Sequence, residues 1–322
     1  MKKETKKLIA AGIVMALSCG AWGSVSAQDC IQVTQESESK TITGSNIIFD
    51  KKTVVVPKYP KFTTSIYIKN GTVDVTADEA IRFNGLKTPT LNNMGTSDLA
   101  GWEYNAGWLA GNATLNLKAK ELYVGSVNAA KQGTGDDGFQ MKGSNNHLNI
   151  LADKIVSYTG DSFINAQEGS GTSEVNIGRA DHRVGYFEAH TTFGKKDYGV
   201  AILQANEGNM VNLYADKVLL DGSTNPLGGV IGTGSYGTVK VDAKDLEIDG
   251  NICGTYGTVD YPGRTASLKI VTDTLHMKGD VNIGSADLKK ASSLEIRKSI
   301  SRPTNRRLLM EISMWQGIRQ TI

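Results

Sequence analysis

One short phrase recurs along the sequence, and this repeat limits the possible folds more than any other feature. Each copy has two apolar residues two positions apart, then a small residue with polar neighbours, then a second apolar alternation. In one copy Val211 and Leu213 flank Asn212, and Val218 begins the second alternation. The copies begin at Val73, Leu115, Leu148, Val175, Val211, Val239 and Leu268, and Leu294 begins one more that stops after Ile296.

The spacing of these copies indicates a solenoid. Apolar residues that alternate with polar ones lie on one face of a half-buried β-strand, and the polar pair that breaks the alternation marks a corner. Successive copies begin 26 to 42 residues apart, a period at which each coil buries its apolar face against its neighbours. We therefore predict an all-β, right-handed, single-stranded parallel β-helix with loops of variable length, an architecture that resembles the pectin-lyase-like fold.

Other architectures fit the pattern less well. The strands of a β-sandwich do not share one phrase and one spacing. A propeller blade needs about four strands and a longer repeat. Helical periodicity is absent after the first residues, and 36 glycines disfavour helices.

The N-terminus has the pattern of a secretory signal peptide. Residues 1–7 carry four lysines and one glutamate, residues 8–22 are uncharged and mainly apolar, and small residues precede Gln28. The apolar run is shorter than the roughly 20 residues that span a bilayer. A lipoprotein signal that ends at Cys19 is the alternative. Either way, we expect the chain to be exported.

Four segments follow from these patterns. They are a signal peptide at 1–27, an N-terminal cap with first strands at 28–70, β-helix repeats at 71–296 and an atypical basic tail at 297–322. The tail holds five of the nine arginines. One interpretation is a cap with a short helix at 306–312, since solenoids need caps. The other is the remnant of a truncated or frame-shifted gene, which the abrupt change in composition favours.

Charge and cysteine content exclude some partners and scaffolds. The chain has a net charge of +2, of which residues 1–7 supply +3 and residues 297–322 supply +5, so the body carries −6. A surface that neutralises phosphates is basic, and we expect no nucleic-acid partner. After signal cleavage Cys30 and Cys253 remain near opposite ends of the body, too far apart in an extended solenoid to form a disulfide.

The signal peptide and the Asn-, Gly-, Thr- and Asp-rich coils, with phrases such as 211–218 and 239–246, resemble autotransporter passengers, the exported β-helical arms of Gram-negative surface proteins. The resemblance covers about 71–294. It implies an outer-membrane, cell-surface or extracellular location, an adhesin or surface-interaction role, and a host or bacterial surface protein or glycan as partner. It also implies a C-terminal outer-membrane barrel, for which residues 297–322 are too few.

Two motifs are candidates for an enzymatic role. Asp136 and Asp137 lie between glycines and could act as acid and base, but none of the four histidines is flanked by glycine, as β-helical hydrolases require. The run Asp181-His182-Arg183 has the residue types of a lyase site. We interpret the first motif as a solvated turn and the second as a surface loop. No catalysis, cofactor or metal is expected; a secreted polysaccharide-active or polysaccharide-binding β-helix is the alternative.

Two aromatic stretches are candidate ligand-binding sites, because exposed aromatic rings stack on sugars and anchor protein partners. Packing of loops onto the solenoid is the alternative for both. The recurring asparagines, by contrast, are expected to face outward or to form a ladder along the rod. The binding candidates are Trp102, Tyr104, Trp108, Tyr186 and Phe187, and the asparagines are Asn116, Asn149, Asn176 and Asn212.

Overall fold

The computed structural model describes residues 25–28, 30–49, 54–56, 62–83, 103–125, 137–160, 162–166, 173–191, 201–223, 229–233, 237–253, 265–279, 281–282, 295–297 and 308–315. All regular elements in these ranges are β-strands, and they form two sheets. The larger sheet contains β1 (Val25–Gln28), β3 (Glu38–Phe49), β6 (Gly71–Phe83), β8 (Thr114–Gly125), β10 (His147–Thr159), β12 (Glu174–Ile177), β13 (Val184–Thr191), β15 (Met210–Asp221), β17 (Thr238–Asp242), β18 (Asp245–Asp249), β20 (Thr265–Thr272), β21 (Thr274–Lys278), β23 (Glu295–Arg297) and β24 (Leu308–Trp315).

The second sheet is built mainly from shorter strands, which alternate along the chain with the strands of the first sheet. Its members are β2 (Ile31–Val33), β4 (Val54–Val55), β5 (Phe62–Ile68), β7 (Glu103–Leu109), β9 (Asp137–Met141), β11 (Ile164–Ala166), β14 (Leu203–Ala205), β16 (Gly229–Thr233), β19 (Asn251–Cys253) and β22 (Val281–Asn282). Several of these strands, such as β11 and β14, are buried at every position, as expected for a parallel strand covered on both faces.

Register in the larger sheet follows the sequence repeat. Each copy of the phrase lies directly beside the next in parallel pairing, so that equivalent residues form straight rows along the solenoid. The first row is Val73, Leu115, Leu148, Val175, Val211, Val239 and Leu268, and each of these side chains is buried. The predicted parallel β-solenoid is therefore confirmed, and its alternating apolar positions form the core.

Each coil has a corner where the phrase predicts one. In β8, Leu115 and Leu117 point inward from odd-numbered positions, whereas the second inward pair, Leu122 and Val124, lies on even-numbered positions. Alternation on a single flat strand keeps one parity, so the change of parity requires a bend between the two halves. In later coils the bend separates the halves into distinct strands, as in β17 and β18.

Phenylalanines form a second continuous feature of the core. Phe49 stacks on Phe83 with ring centroids 4.8 Å apart, and Phe139 meets Phe83 edge to face at 5.7 Å. Phe163 lies 5.8 Å from Phe139 and 5.5 Å from Phe187, also at steep angles. The row passes through successive coils and fixes how the two sheets pack against each other.

The C-terminal pairing differs from the prediction. Glu295–Arg297 does not form a further parallel coil; it pairs antiparallel with Leu308–Trp315, which pairs antiparallel with β20. The helix interpretation of residues 306–312 is also wrong in its described part, because Leu308 to Ile312 belong to a strand. A reversed strand covers the edge of β20 without continuing the direction of winding.

The two cysteine positions lie far apart in this topology. Cys30 immediately precedes β2, and Cys253 ends β19. Six strands lie between β2 and β19 in the second sheet, so the two strands are seven spacings apart, roughly 34 Å at about 4.8 Å per spacing. A disulfide between them is incompatible with that distance.

Candidate functional site

A ladder of carboxamides runs along the outer face of the larger sheet. Asn116 donates from Nδ2 to Asp74 Oδ1 at 2.7 Å, and Asn149 donates to Asn116 Oδ1 at 2.8 Å. Asn176 donates to Asn149 at 3.2 Å, and Asn212 donates to Asn176 at 3.0 Å. The ladder exists because these residues share one register row, and it confirms the predicted behaviour of the repeated asparagines.

The ladder forms the floor of a groove of about 700 Å³. A second row of outward-facing residues lies two positions further along each strand. It includes Lys118, Leu151 and Tyr214. Residues of a short excursion after β12, among them Arg179 and Ala180, form its wall. The groove thus crosses several coils and combines amide, apolar and cationic side chains.

The wall exists because one coil is longer at its corner. Val175 pairs with Val211, and Phe187 pairs with Val218. Val211 and Val218 are seven positions apart in the sequence, whereas Val175 and Phe187 are twelve positions apart. The additional residues form a small hairpin closed by bridging between Arg179 and His182. Gly178 begins it with a φ of 65°, and a Cβ there would lie 2.5 Å from the carbonyl oxygen of Tyr214.

Arg183 anchors the far end of this hairpin. Its Nε donates to Asp216 Oδ1 at 2.9 Å, and its Nη1 donates to Asp242 Oδ1 at 2.9 Å. Nη2 also donates to the carbonyl oxygens of Ala215 and Asp242. The hydrogen bonds from Lys244 and then Arg183 hold the pKa of the Asp216 carboxyl below its usual value. The guanidinium thus connects its own coil to the next two coils through four hydrogen bonds.

A second polar cluster lies on the other outer face, beyond the corner. His190 is held between two carboxylates, with Nε2 2.7 Å from Glu188 Oε1 and Nδ1 3.0 Å from Asp221 Oδ2. Tyr158 and Tyr186 donate their hydroxyls to Glu188 at 3.0 and 2.8 Å. The rings of Tyr158 and His190 stack with centroids 4.4 Å apart. Tyr158, His190 and Asp221 share one register row.

Electrostatics in this cluster favour the ionised carboxylates. Burial alone would raise the pKa of Glu188, but hydrogen bonds from His190, Tyr186 and Tyr158 outweigh it and lower the pKa. The pKa of Asp221 is likewise lowered against burial, through its hydrogen bonds from Ser223 and His190. Burial and the bond to Glu188 raise the pKa of Tyr186 to about 12.

The three aromatic candidates whose side chains the structure describes, Trp108, Tyr186 and Phe187, lie in different surroundings. Phe187 is fully buried in the phenylalanine row, where no surface ligand reaches it. Trp108 is 1% exposed and packs with Val56 and Tyr67 on the outside of the second sheet. Both side chains are packed and not exposed, but they belong to strands β13 and β7 of the solenoid and not to loops. Tyr186 is half-buried and bonded to Glu188.

Several other candidates lie outside the described residues. This applies to Trp102 and Asp136, and to the side chains of Tyr104 and Asp137, whose backbones belong to β7 and β9. These candidates stay predictions.

Sequence reasoning finds the asparagine row but misses the groove residues around it. Lys118, Leu151 and Tyr214 occupy equivalent positions in different coils, and an alignment of the copies of the phrase would place them in one row. The interval of 36 residues after Val175 is a further signal, because its additional residues include the hairpin that makes the wall.

Comparisons with known proteins add no relative. No protein-family model matches the sequence, and neither a curated protein nor a solved structure is significantly similar to it. Within the described ranges, no group of three or more histidine, cysteine, aspartate or glutamate side chains is arranged to hold a metal ion. The described part of the chain also contains no helix of the length and hydropathy that crosses a membrane.

Proposed function

We propose that this chain is an exported cell-surface passenger of the autotransporter type, which binds a surface ligand along its flank and catalyses no reaction. The observation that carries the proposal is the floor of the groove. Asn116, Asn149 and Asn176 offer carboxamides there, and a carboxamide donates and accepts hydrogen bonds but transfers no proton near neutral pH. Such a floor suits recognition.

The ionisable groups near the groove support the same proposal. Asp74 is the one carboxylate among the described residues that line it, and Asn116 donates to that carboxylate. Glycoside hydrolysis ordinarily needs two carboxyl groups on either side of the scissile bond. Arg183, the arginine of the candidate lyase motif, forms ion pairs with Asp216 and Asp242.

A secreted polysaccharide-cleaving β-helix is the second candidate, and the Glu188 cluster favours it. Two carboxylates and a histidine converge there beside two tyrosines. A general acid, however, needs a raised pKa so that it holds a proton at neutral pH, whereas the pKa values of Glu188 and Asp221 are lowered. Glu188 also accepts hydrogen bonds at both of its oxygens.

One assay separates the two candidates. The purified chain is incubated with polysaccharides and with intact bacterial and epithelial cells, and both its retention on cells and the release of new reducing or unsaturated sugar ends are measured. We expect saturable retention and no new ends, with Glu188→Gln unchanged in both. Release of sugar ends that disappears in Glu188→Gln would contradict the proposal and establish the polysaccharide-cleaving candidate.

A further inference from the structure

We propose that Lys40 closes the N-terminal end of the solenoid to further β-strands and so prevents end-to-end pairing with a second copy of this chain. This inference goes beyond the proposed function, because it concerns the end of the array and not a ligand of its flank. It rests on the register of β3, on the contacts of the Lys40 ammonium and on the open backbone edge beside it.

The open edge of β3 is long enough to attract another strand. In the described part of the chain, β1 alone lies on the outer side of β3, and it pairs only with Asn46–Phe49. Residues 38–45 therefore pair with β6 on one side and are open on the other. Backbone groups along such an edge pair with the edge of another sheet unless side chains prevent it.

Lys40 lies on the side of β3 that faces the core. It pairs with Val73 and so extends the first core row by one position. Ile42 and Gly44 share this side of the strand, and the three residues of β6 that pair with them and with Lys40 are buried and apolar: Val73, Val75 and Ala77. Lys40 thus brings a charge to an otherwise apolar row. Its side chain is 43% exposed, which keeps the ammonium in contact with water.

The ammonium reaches across the end of the core to the second sheet. Lys40 Nζ donates to the carbonyl oxygen of Gln32, in β2, at 2.7 Å and lies 3.6 Å from Glu38 Oε1. The next carbonyl, that of Val33, accepts from the backbone N–H of Lys69, just after β5. Consecutive carbonyls of a strand point to opposite edges, so the Gln32 carbonyl points away from β5. Lys40 therefore occupies an acceptor that a strand added to β2 would need.

One side chain thus closes the edges of both sheets. A strand that paired with residues 38–45 would place its own inward side chains over Lys40 and remove the ammonium from water. One carbonyl and one carboxylate do not replace that hydration, so burial of this charge is unfavourable. Two copies that met through this edge would also bring two ammonium groups into one core, where like charges repel strongly.

The excluded partner is a second copy that uses the same edge. At the other end of the row that contains Lys40, β20 is already paired with β24, so this edge is covered by backbone. The N-terminal edges of two copies are therefore the surfaces that would pair if the charge were absent. An interface in which both copies use the same surface closes as a two-fold dimer.

Replacement of the charge tests the inference. Lys40→Met keeps an unbranched side chain and removes the ammonium, and Lys40→Val installs the residue that β6 has at the paired position. The mass of the purified chain is measured by analytical ultracentrifugation at increasing concentration, and circular dichroism checks that each variant is folded. We expect the wild type to remain monomeric and Lys40→Met to approach twice the mass of one chain. The Lys40→Met result decides the test if Lys40→Val does not fold.

Two control variants and a second measurement locate the effect. Lys40→Arg keeps the charge, and Thr41→Val adds an apolar side chain on the exposed outer side of the same strand, so both should stay monomeric. In the Lys40→Met dimer, backbone hydrogen exchange of residues 38–45 should be slower than in the wild type, because these residues gain a partner strand. The inference is overturned if the wild type dimerises, if Lys40→Met stays monomeric, if either control associates as strongly, or if exchange of residues 38–45 is unchanged in the dimer.

Discussion

Asparagine serves two purposes in this protein because its amide both donates and accepts. Along the flank, each ladder residue satisfies its neighbour at the coil spacing, from Asp74 to Asn212. At the turns before the long strands, Asn70, Asn112 and Asn145 adopt positive φ values and form a second, shorter ladder with hydrogen bonds of 3.2 and 3.1 Å. A repeated residue thus stabilises the stacking of coils at two places.

Replacement of one residue in the flank ladder should destabilise the fold measurably. Asn149→Ala removes the hydrogen bonds to Asn116 and from Asn176, and we expect a loss of about 1–3 kcal/mol in the free energy of unfolding. The measurement is urea unfolding followed by circular dichroism. Thr114→Ala, on the same outer face and with no hydrogen bond from its side chain among the described residues, is the control. Equal stability of the two variants would show that the ladder contributes nothing.

Acid should weaken the cluster around Glu188. The pKa values of Glu188 and Asp221 are lower in the folded state than in the unfolded state. Their contribution to the free energy of unfolding is therefore complete above the unfolded-state pKa values, and it is lost as the pH falls through the folded-state pKa values. The melting temperature of the wild type should therefore decline below about pH 4.5, where carboxyls begin to take up protons. The Glu188→Gln variant should have a lower melting temperature than the wild type at pH 7, and its melting temperature should decline less as the pH falls.

The control for that experiment is Asp181→Asn, which neutralises an exposed carboxylate outside the cluster. Its melting temperature should follow the wild-type curve between pH 7 and pH 3. A Glu188→Gln curve parallel to the wild type would contradict the role of the cluster in acid sensitivity.

These two groups of residues differ in how far the sequence predicts them. The ladder is predictable because the asparagines occupy one position of a recognisable phrase. Tyr158, His190 and Asp221 also share a row. The hairpin after Val175, however, adds five residues to the coil that contains His190, so His190 does not lie at the same distance from the start of its copy as the other two. Without the register, neither the contact of His190 with Asp221 nor the burial of Phe187 can be predicted, and the prediction of Phe187 as a surface candidate is wrong for that reason.

The strands of the larger sheet are the most predictable elements. Their apolar positions alternate, and all seven complete copies of the phrase lie in register. Strands of the second sheet carry no common phrase; β14 and β16 are buried throughout and short, so alternation gives no signal. The antiparallel pairing at the C-terminal end is not predictable either, because Leu308–Trp315 shows apolar residues that also suit a helix.

The hairpin between β12 and β13 depends on its glycine. Gly178→Ala should cost about 2 kcal/mol or more, since an L-residue in the left-handed region is strained and the new Cβ meets the carbonyl of Tyr214. Gly44→Ala, whose Cβ meets nothing closer than 3.4 Å, is the control. Thermal unfolding measures the difference. If Gly178→Ala is as stable as the control, the wall of the groove does not require this backbone conformation.

The molecule is an array in which each coil contacts mainly its neighbours. The first and last coils each lack one neighbour, so their exposed edges need to be covered. At the C-terminal side, β24 reverses direction against β20. At the N-terminal side, β1 pairs with residues 46–49 of β3. Cleavage of the predicted signal after Ala27 would remove most of β1 and leave β3 at the end of the array, with Phe49 still stacked on Phe83. Between the ends, the flank remains continuous and presents the groove to solvent.

Export to the surface is the central proposal, and the location and N-terminus of the chain in the cells that produce it test it most directly. Intact cells are treated with an external protease, and the N-terminus of the untreated chain is determined by mass spectrometry. The account predicts a chain that begins at Gln28 and is degraded on intact cells. A chain that begins at Met1 and resists protease until the cells are lysed would contradict it.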